Sequence, residues 1–201
     1  MTLGILDFKI EKVVKRLLLD LLIILSVLFF LYLLLPPPPP YPTPLPNSVE
    51  STEPGDTVQI SGVSAYYSQH QRAFVTKYYQ EKFDEIPGLP IKFPSYRLNH
   101  PPQFAHEKIR SQILSSYFEE VVHPFRESLF INGWEPEVFL RGNPGAISQH
   151  AVIVDGVKYF SKTTLRPFYS TLPARIISFV GILISCAILY FLTRRIVFGR
   201  I

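Results

Sequence analysis

The sequence predicts a two-layer α+β domain, a mostly antiparallel sheet of about four strands with two helices on one face, flanked by two transmembrane helices. Three observations carry this. Charge-poor apolar runs of spanning length lie at both ends of the chain. A helical periodicity of apolar residues follows the proline-rich region, over Phe74 to Phe83. Near the end of the middle region, Asp155-Gly156 stands between β-branched and aromatic runs.

The chain has 201 residues, a formal net charge of +4, 47% hydrophobic and 18% charged residues. Charge in ordinary soluble domains is nearer a quarter of the chain, and disordered tails are far less apolar, so both classes are excluded. One cysteine excludes an intramolecular disulfide framework, a cysteine-based zinc site and a CxxC redox pair.

The first element is Leu17 to Leu35, with Asp20 its one charge. As a helix it is about 28 Å long, close to a hydrocarbon core. It runs directly into prolines with no small-x-small site after it, which separates it from a cleaved signal peptide. The last element, 176–193, is uncharged from Ile176 to Leu192 and flanked by Arg175, Arg194 and Arg195. The short tails, 1–16 and 194–201, are both basic: Lys9, Lys12, Lys15 and Arg16 at one end, Arg194, Arg195 and Arg200 at the other. Positive-inside reasoning places both in the cytoplasm, with the middle region outside, at a plasma or inner membrane. Asp20 is one turn from Arg16. It reads as an interfacial carboxylate, with a proton-handling or partner-binding role as the alternative. In the second span Gly181 and Ser185 are four apart, so they share a face on which another helix backbone can approach.

Residues 36–56 read as a linker. Eight of the eleven residues from Pro36 to Pro46 are proline, which favours a polyproline II rod roughly 30–35 Å long. It is expected to act as a semi-rigid spacer rather than as a PxxP ligand. The tether at the other end, Phe168 to Arg175, is much shorter. The rod must therefore climb the domain's flank or reach sideways along a neighbour.

The extracytoplasmic domain is placed at 57–168. Val58 and Ile60, then Val63, Ala65 and Tyr67, alternate with polar residues, predicting a strand with a bulge at Gly62. Phe74, Val75, Tyr78, Tyr79 and Phe83 predict an amphipathic helix, ended by Pro87, Gly88 and Pro90. A second helix is expected from His100-Pro101-Pro102. Its stripes are Ile113, Tyr117 and Val121 beside Leu114, Phe118, Val122 and Phe125, and Asn132-Gly133 is its stop. Short strands are expected at Val138 to Arg141, Ala151 to Val154 and Val157 to Thr164. A type I′ turn at Asp155-Gly156 sets Val154 by Val157 and Val152 by Tyr159.

Catalytic signals are sparse. Glu120 and His123 have the i,i+3 spacing of half a di-iron carboxylate motif, but the other ligands of such a site are missing. Ser148 and His150 lack an orienting third group and oxyanion donors. No metal ion or cofactor is expected on these motifs, and the middle region's balance of 13 basic against 13 acidic residues argues against nucleic acid. The aromatics exceed the needs of a small core. Trp134, Tyr66, Phe168 and Tyr169 are candidates for a protein-binding surface, with core packing and membrane-surface anchoring the competing roles.

The expectation is a non-catalytic accessory or assembly subunit of a larger membrane complex, its partners other integral membrane subunits and the lipid bilayer. A homo-oligomeric cell-envelope protein is the first alternative. Polysaccharide chain-length regulators share this two-span layout, with Pro167 and Pro173 before the second span, although their long helices are missing here. A metal-binding enzyme using His100, His106 or His123 is the second.

Overall fold

A computed structural model describes residues 2–39, 42–53, 62–109, 115–134 and 151–199. The chain forms two compact units, one made of 1–35 with 171–201 and the other of 36–170.

In the first unit, α1 runs Thr2–Leu34 and α4 runs Leu172–Phe198. Their spanning parts, Lys12–Leu34 and Leu172–Ile196, are long and apolar enough to cross a membrane. Phe179 packs its ring 5.0 Å from that of Phe30 and 6.0 Å from that of Phe29. The last carbonyls of a helix lack partners within it. Here the Arg175 guanidinium donates to Leu33 O at 3.2 Å and Leu35 O at 3.1 Å. Pro173 stands in the first turn of α4, where its missing N–H costs nothing, and the Thr171 side chain caps that turn.

The second unit is α+β. Its main sheet has six antiparallel strands in the order β1-β2-β8-β5-β4-β3. They are β1 Val49–Glu50, β2 Ser64–Ser68, β3 Tyr96–His100, β4 Tyr117–His123, β5 Glu127–Trp134 and β8 Ser161–Tyr169. The hairpin β6 Val152–Val154 and β7 Val157–Tyr159 forms its own two-stranded sheet. Its register is the expected one, Val154 with Val157 and Val152 with Tyr159. Asp155 and Gly156 both have positive φ, as a type I′ turn demands. The strand expected over Val157 to Thr164 is instead divided between the two sheets. The strand at Val138 to Arg141, and Val58, Ile60, Ser148 and His150, lie outside the described residues.

Helix α2, Arg72–Phe83, forms where the periodicity places it and buries Val75, Tyr79 and Phe83. They meet Tyr66, Tyr117, Val121, Leu129, Ile131 and Leu165 from one face of the sheet. Arg72 is tied to the same face, its Nε donating to the buried Glu119 carboxylate at 2.6 Å.

The second long helix is a correction. The described residues from 100 to 134 hold the 3₁₀ turn Pro102–Phe104, the four-residue α3 Ala105–Lys108, and the β4–β5 hairpin. The misleading signal was the four-residue spacing of Tyr117 with Val121 and of Phe118 with Val122. That spacing puts residues on one helix stripe, but being even it also puts them on one face of a strand. Both faces of β4 are covered, so polar–apolar alternation is lost and the β-branched and aromatic content decides. Asn132-Gly133, expected to end a helix, is inside β5. A Cβ at Gly133 would lie 2.6 Å from the Lys162 carbonyl oxygen and press on the Tyr117 ring, so the backbones meet closely there.

Of the two courses expected for the proline rod, its described residues follow the domain's own flank, as part of the second compact unit. Leu45 is buried in the core beneath α2. Tyr78 donates to Pro44 O, the His70 ring bonds Pro46 O, and Tyr169 donates to Pro39 O. Without a backbone donor of its own, a proline-rich segment offers carbonyls, and the domain supplies donors to them.

Candidate functional site

The chemistry-bearing side chains gather at the end of the sheet where the domain begins and ends. Strands β4 and β5 join through Pro124-Phe125-Arg126, a three-residue turn with Phe125 at φ +63°. The turn holds both ends of the domain. Arg126 Nη2 donates to Pro36 O at 3.0 Å, and the Ser170 backbone N–H donates to Arg126 O at 2.8 Å. Arg126 is buried, and its guanidinium lies 2.6 Å from the buried Glu127 carboxylate.

Glu127 also receives His123, whose Nδ1 is 3.0 Å from Oε1. The other ring nitrogen, Nε2, donates to Phe93 O at 3.0 Å. Phe83 stacks on the imidazole at 4.6 Å and Phe93 meets it edge-on at 5.8 Å. Both ring nitrogens are thus committed, and the group fastens the loop before β3 to the hairpin. The three-residue spacing of Glu120 and His123 does not bring the two side chains together. On a strand, residues three apart point to opposite faces. Glu120 instead meets His100, Oε2 to Nε2 at 2.9 Å. Among the described residues no three His, Cys, Asp or Glu side chains cluster as metal ligands would.

Beside the hairpin, under the proline rod, is a cavity of about 510 Å³. Tyr79, Phe83, Leu129 and Pro167 line it with Pro38 and Pro39, and the Pro87 to Lys92 loop borders it. Tyr169 is at its edge. Burial, with Glu127 nearby, pushes the Tyr169 hydroxyl up to about 12, so it stays a donor to Pro39 O at neutral pH.

The candidate interaction residues scatter. Tyr66 is a core residue facing α2, and burial raises its hydroxyl above the ordinary value. Trp134 is buried at the end of β5 opposite Lys162. These two are corrections: neither offers a free surface. Phe168 and Tyr169 are half-exposed and point to opposite faces of the sheet. Phe168 meets Phe130 edge-on at 5.3 Å, with the Arg166 guanidinium 4.9 Å from its ring centre. Gly181 and Ser185 are exposed, and a Cβ at Gly181 would meet nothing within 4 Å. The two apolar helices pack through Phe29, Phe30 and Phe179, so the small-residue face is left open. Asp20 is exposed on α1.

What sequence reasoning missed is the outer edge of β3. This strand closes the sheet on one side, and among the described residues nothing pairs with its other edge. Tyr96 is 66% and Leu98 46% exposed, both on the face away from α2. A five-residue run, YRLNH, with β-prone Tyr and Leu at alternate positions was the available signal. Comparisons with protein-family models, curated proteins and solved structures find no match.

Proposed function

We propose that this chain is a non-catalytic, membrane-anchored accessory or assembly subunit of a larger membrane protein complex. It sits in a plasma or inner membrane with both tails in the cytoplasm and presents its domain on the other side. Its partners are other integral membrane subunits and the surrounding lipid. The observation that carries this reading is the open β3 edge. A strand edge that nothing among the described residues pairs with offers a row of N–H and C=O groups, and exposed Tyr96 and Leu98 on that strand add apolar area for a partner strand. The histidines and carboxylates nearby are bonded to one another, which favours binding over catalysis.

Cross-linking in native membranes, mild-detergent isolation and mass spectrometry test it. A second protein should be recovered. Leu98→Lys should reduce its recovery while changing stability by less than about 0.5 kcal/mol, as a surface substitution does. A monodisperse lone monomer would sink the proposal. Recovery of only a second copy of the chain would move the reading to a homo-oligomeric envelope protein.

A further inference from the structure

The cavity under the proline rod has a volume of about 510 Å³, inside the roughly 300–1,000 Å³ range of ligand sites. Its lining is mostly apolar, and Phe83, Leu129 and Pro167 bring no polar side-chain atom to it. A peptide would carry backbone N–H and C=O groups into a space with few partners for them, at a cost for each. A hydrocarbon chain carries none.

Covalent reach supplies the source. Pro38 lies four residues after the end of α1 at Leu34, and Tyr169 three before the start of α4 at Leu172. Extended chain covers at most about 14 Å and 11 Å over those distances. Lipid chains of one leaflet run about 15 Å, half the hydrocarbon core. Two cavity residues are thus tied, from opposite ends of the domain, within one chain length of the span ends.

The bordering charges select the headgroup. Lys82 Nζ is 3.2 Å and Lys92 Nζ 3.6 Å from the one carboxylate of Glu85. Two cations share one anion, leaving a net positive charge at the side of an apolar cavity. We propose that this cavity takes the acyl chain of an anionic membrane lipid, with Lys82 and Lys92 meeting its headgroup. The proposal rests on reading α1 and α4 as membrane spans.

The test uses the full chain in phosphatidylcholine vesicles doped with phosphatidylglycerol that carries a photoreactive diazirine near the end of one acyl chain. After irradiation, peptide mapping should find label on α1 and α4 and also on 82–92 and the peptides holding Leu129 and Pro167. Ile91→Trp narrows the cavity from an exposed loop position and should remove the domain label while leaving the span label. Leu129→Phe does the same from the sheet side; unchanged Trp134 fluorescence reports that this variant is folded, and a parental circular dichroism spectrum reports it for Ile91→Trp, which carries a second tryptophan. The same diazirine on phosphatidylcholine should label the domain about fivefold less, the value of one net charge near a membrane surface. Label confined to α1 and α4, or domain label that survives both variants, overturns the site. Equal domain label from the two lipids overturns the assignment to an anionic lipid. Absence of label on the spans as well overturns the membrane reading and this proposal with it.

Discussion

The two faces of the central sheet are covered in different ways. On one, Tyr117, Val121, Leu129, Ile131 and Leu165 meet a full helix, α2, and Leu45 of the proline rod closes the layer. On the other, among the described residues, Phe118 and Phe130 meet Ala105 and Ile109, from α3 and the residue after it, with the rings of His100 and Phe168 beside them. Polar contacts follow the same division. The first face holds Glu119, buried and bonded to Arg72. The second holds Lys162 against Glu53, whose carboxylate is half in solvent. The first face is covered by this chain's own helix and rod, apart from the cavity lined by Leu129 and Pro167. The second leaves Tyr96 and Leu98 accessible at the edge where a partner is proposed.

The sharpest way to break the comparison is to spoil the first face at its closest approach. Gly133→Val would drive side-chain atoms into the Tyr117 ring and the Lys162 carbonyl, and neither can withdraw without moving a strand. Overpacking of this kind costs about 3 kcal/mol or more when backbone must move. Trp134 is the only tryptophan and is buried, so thermal unfolding of the full chain in detergent can be followed by its fluorescence. The variant should be unfolded or melt far below the parent. A parental melting curve would show that β5 and β8 are not in this register.

A gentler cut separates rod from spacer. Leu45→Ala removes a buried side chain, and such deletions cost about 2–5 kcal/mol. A spacer residue would cost nothing measurable. On the opposite face, Ile109→Ala removes a side chain that is equally buried. It sits in a small cluster under a short helix, which can settle into the space left. The cost should fall at the low end, about 2 kcal/mol or less. Denaturant titrations of both variants by Trp134 fluorescence should rank Leu45→Ala as the more damaging. The reverse ranking would mean that α3, not the rod, is the firmer cover.

How far this division could be read beforehand depends on what each element's spacing discriminates. Helix α2 was legible because Phe74, Val75, Tyr78, Tyr79 and Phe83 mix spacings of three and four, which no strand face accommodates. The Asp155-Gly156 hairpin was legible because a type I′ turn selects those residues and fixes the register on either side. The β4–β5 hairpin was not, since its apolar spacing is even and both of its faces are buried. Nor was the choice between the rod's two courses, along the domain's flank or along a neighbour. A proline run specifies its own conformation, but the donors on Tyr78, His70 and Tyr169 that hold it come from residues up to 130 positions away. The His123–Glu127–Arg126 group was hidden for a related reason, as it depends on a turn where a helix was expected. The site's surfaces therefore had to come from the fold, whereas its materials were visible in the chain.

The smallest expected effect concerns the ion pair on the less protected face. Tyr67 donates a hydrogen bond to the Glu53 carboxylate and Lys162 lies 3.3 Å from it, and together they outweigh burial and hold the group below its ordinary 4.5. A carboxyl depressed in the folded state is protonated more readily in the unfolded chain. Its contribution is complete above the unfolded value and disappears as pH falls from about 4.5 through the lower folded value. Glu53 is half-exposed, so solvent screens the pair and its worth stays below about 1 kcal/mol. Glu53→Gln should thus melt slightly below the parent at neutral pH, and the two curves should converge as the pH is lowered past 4.5. The buried Glu119 on the other face is untouched by this change, so the loss at neutral pH should remain a small part of the total. A gap that persists unchanged into acid would mean that Glu53 acts through packing rather than charge. A gap as large as that of Leu45→Ala would mean that the second face is held as firmly as the first.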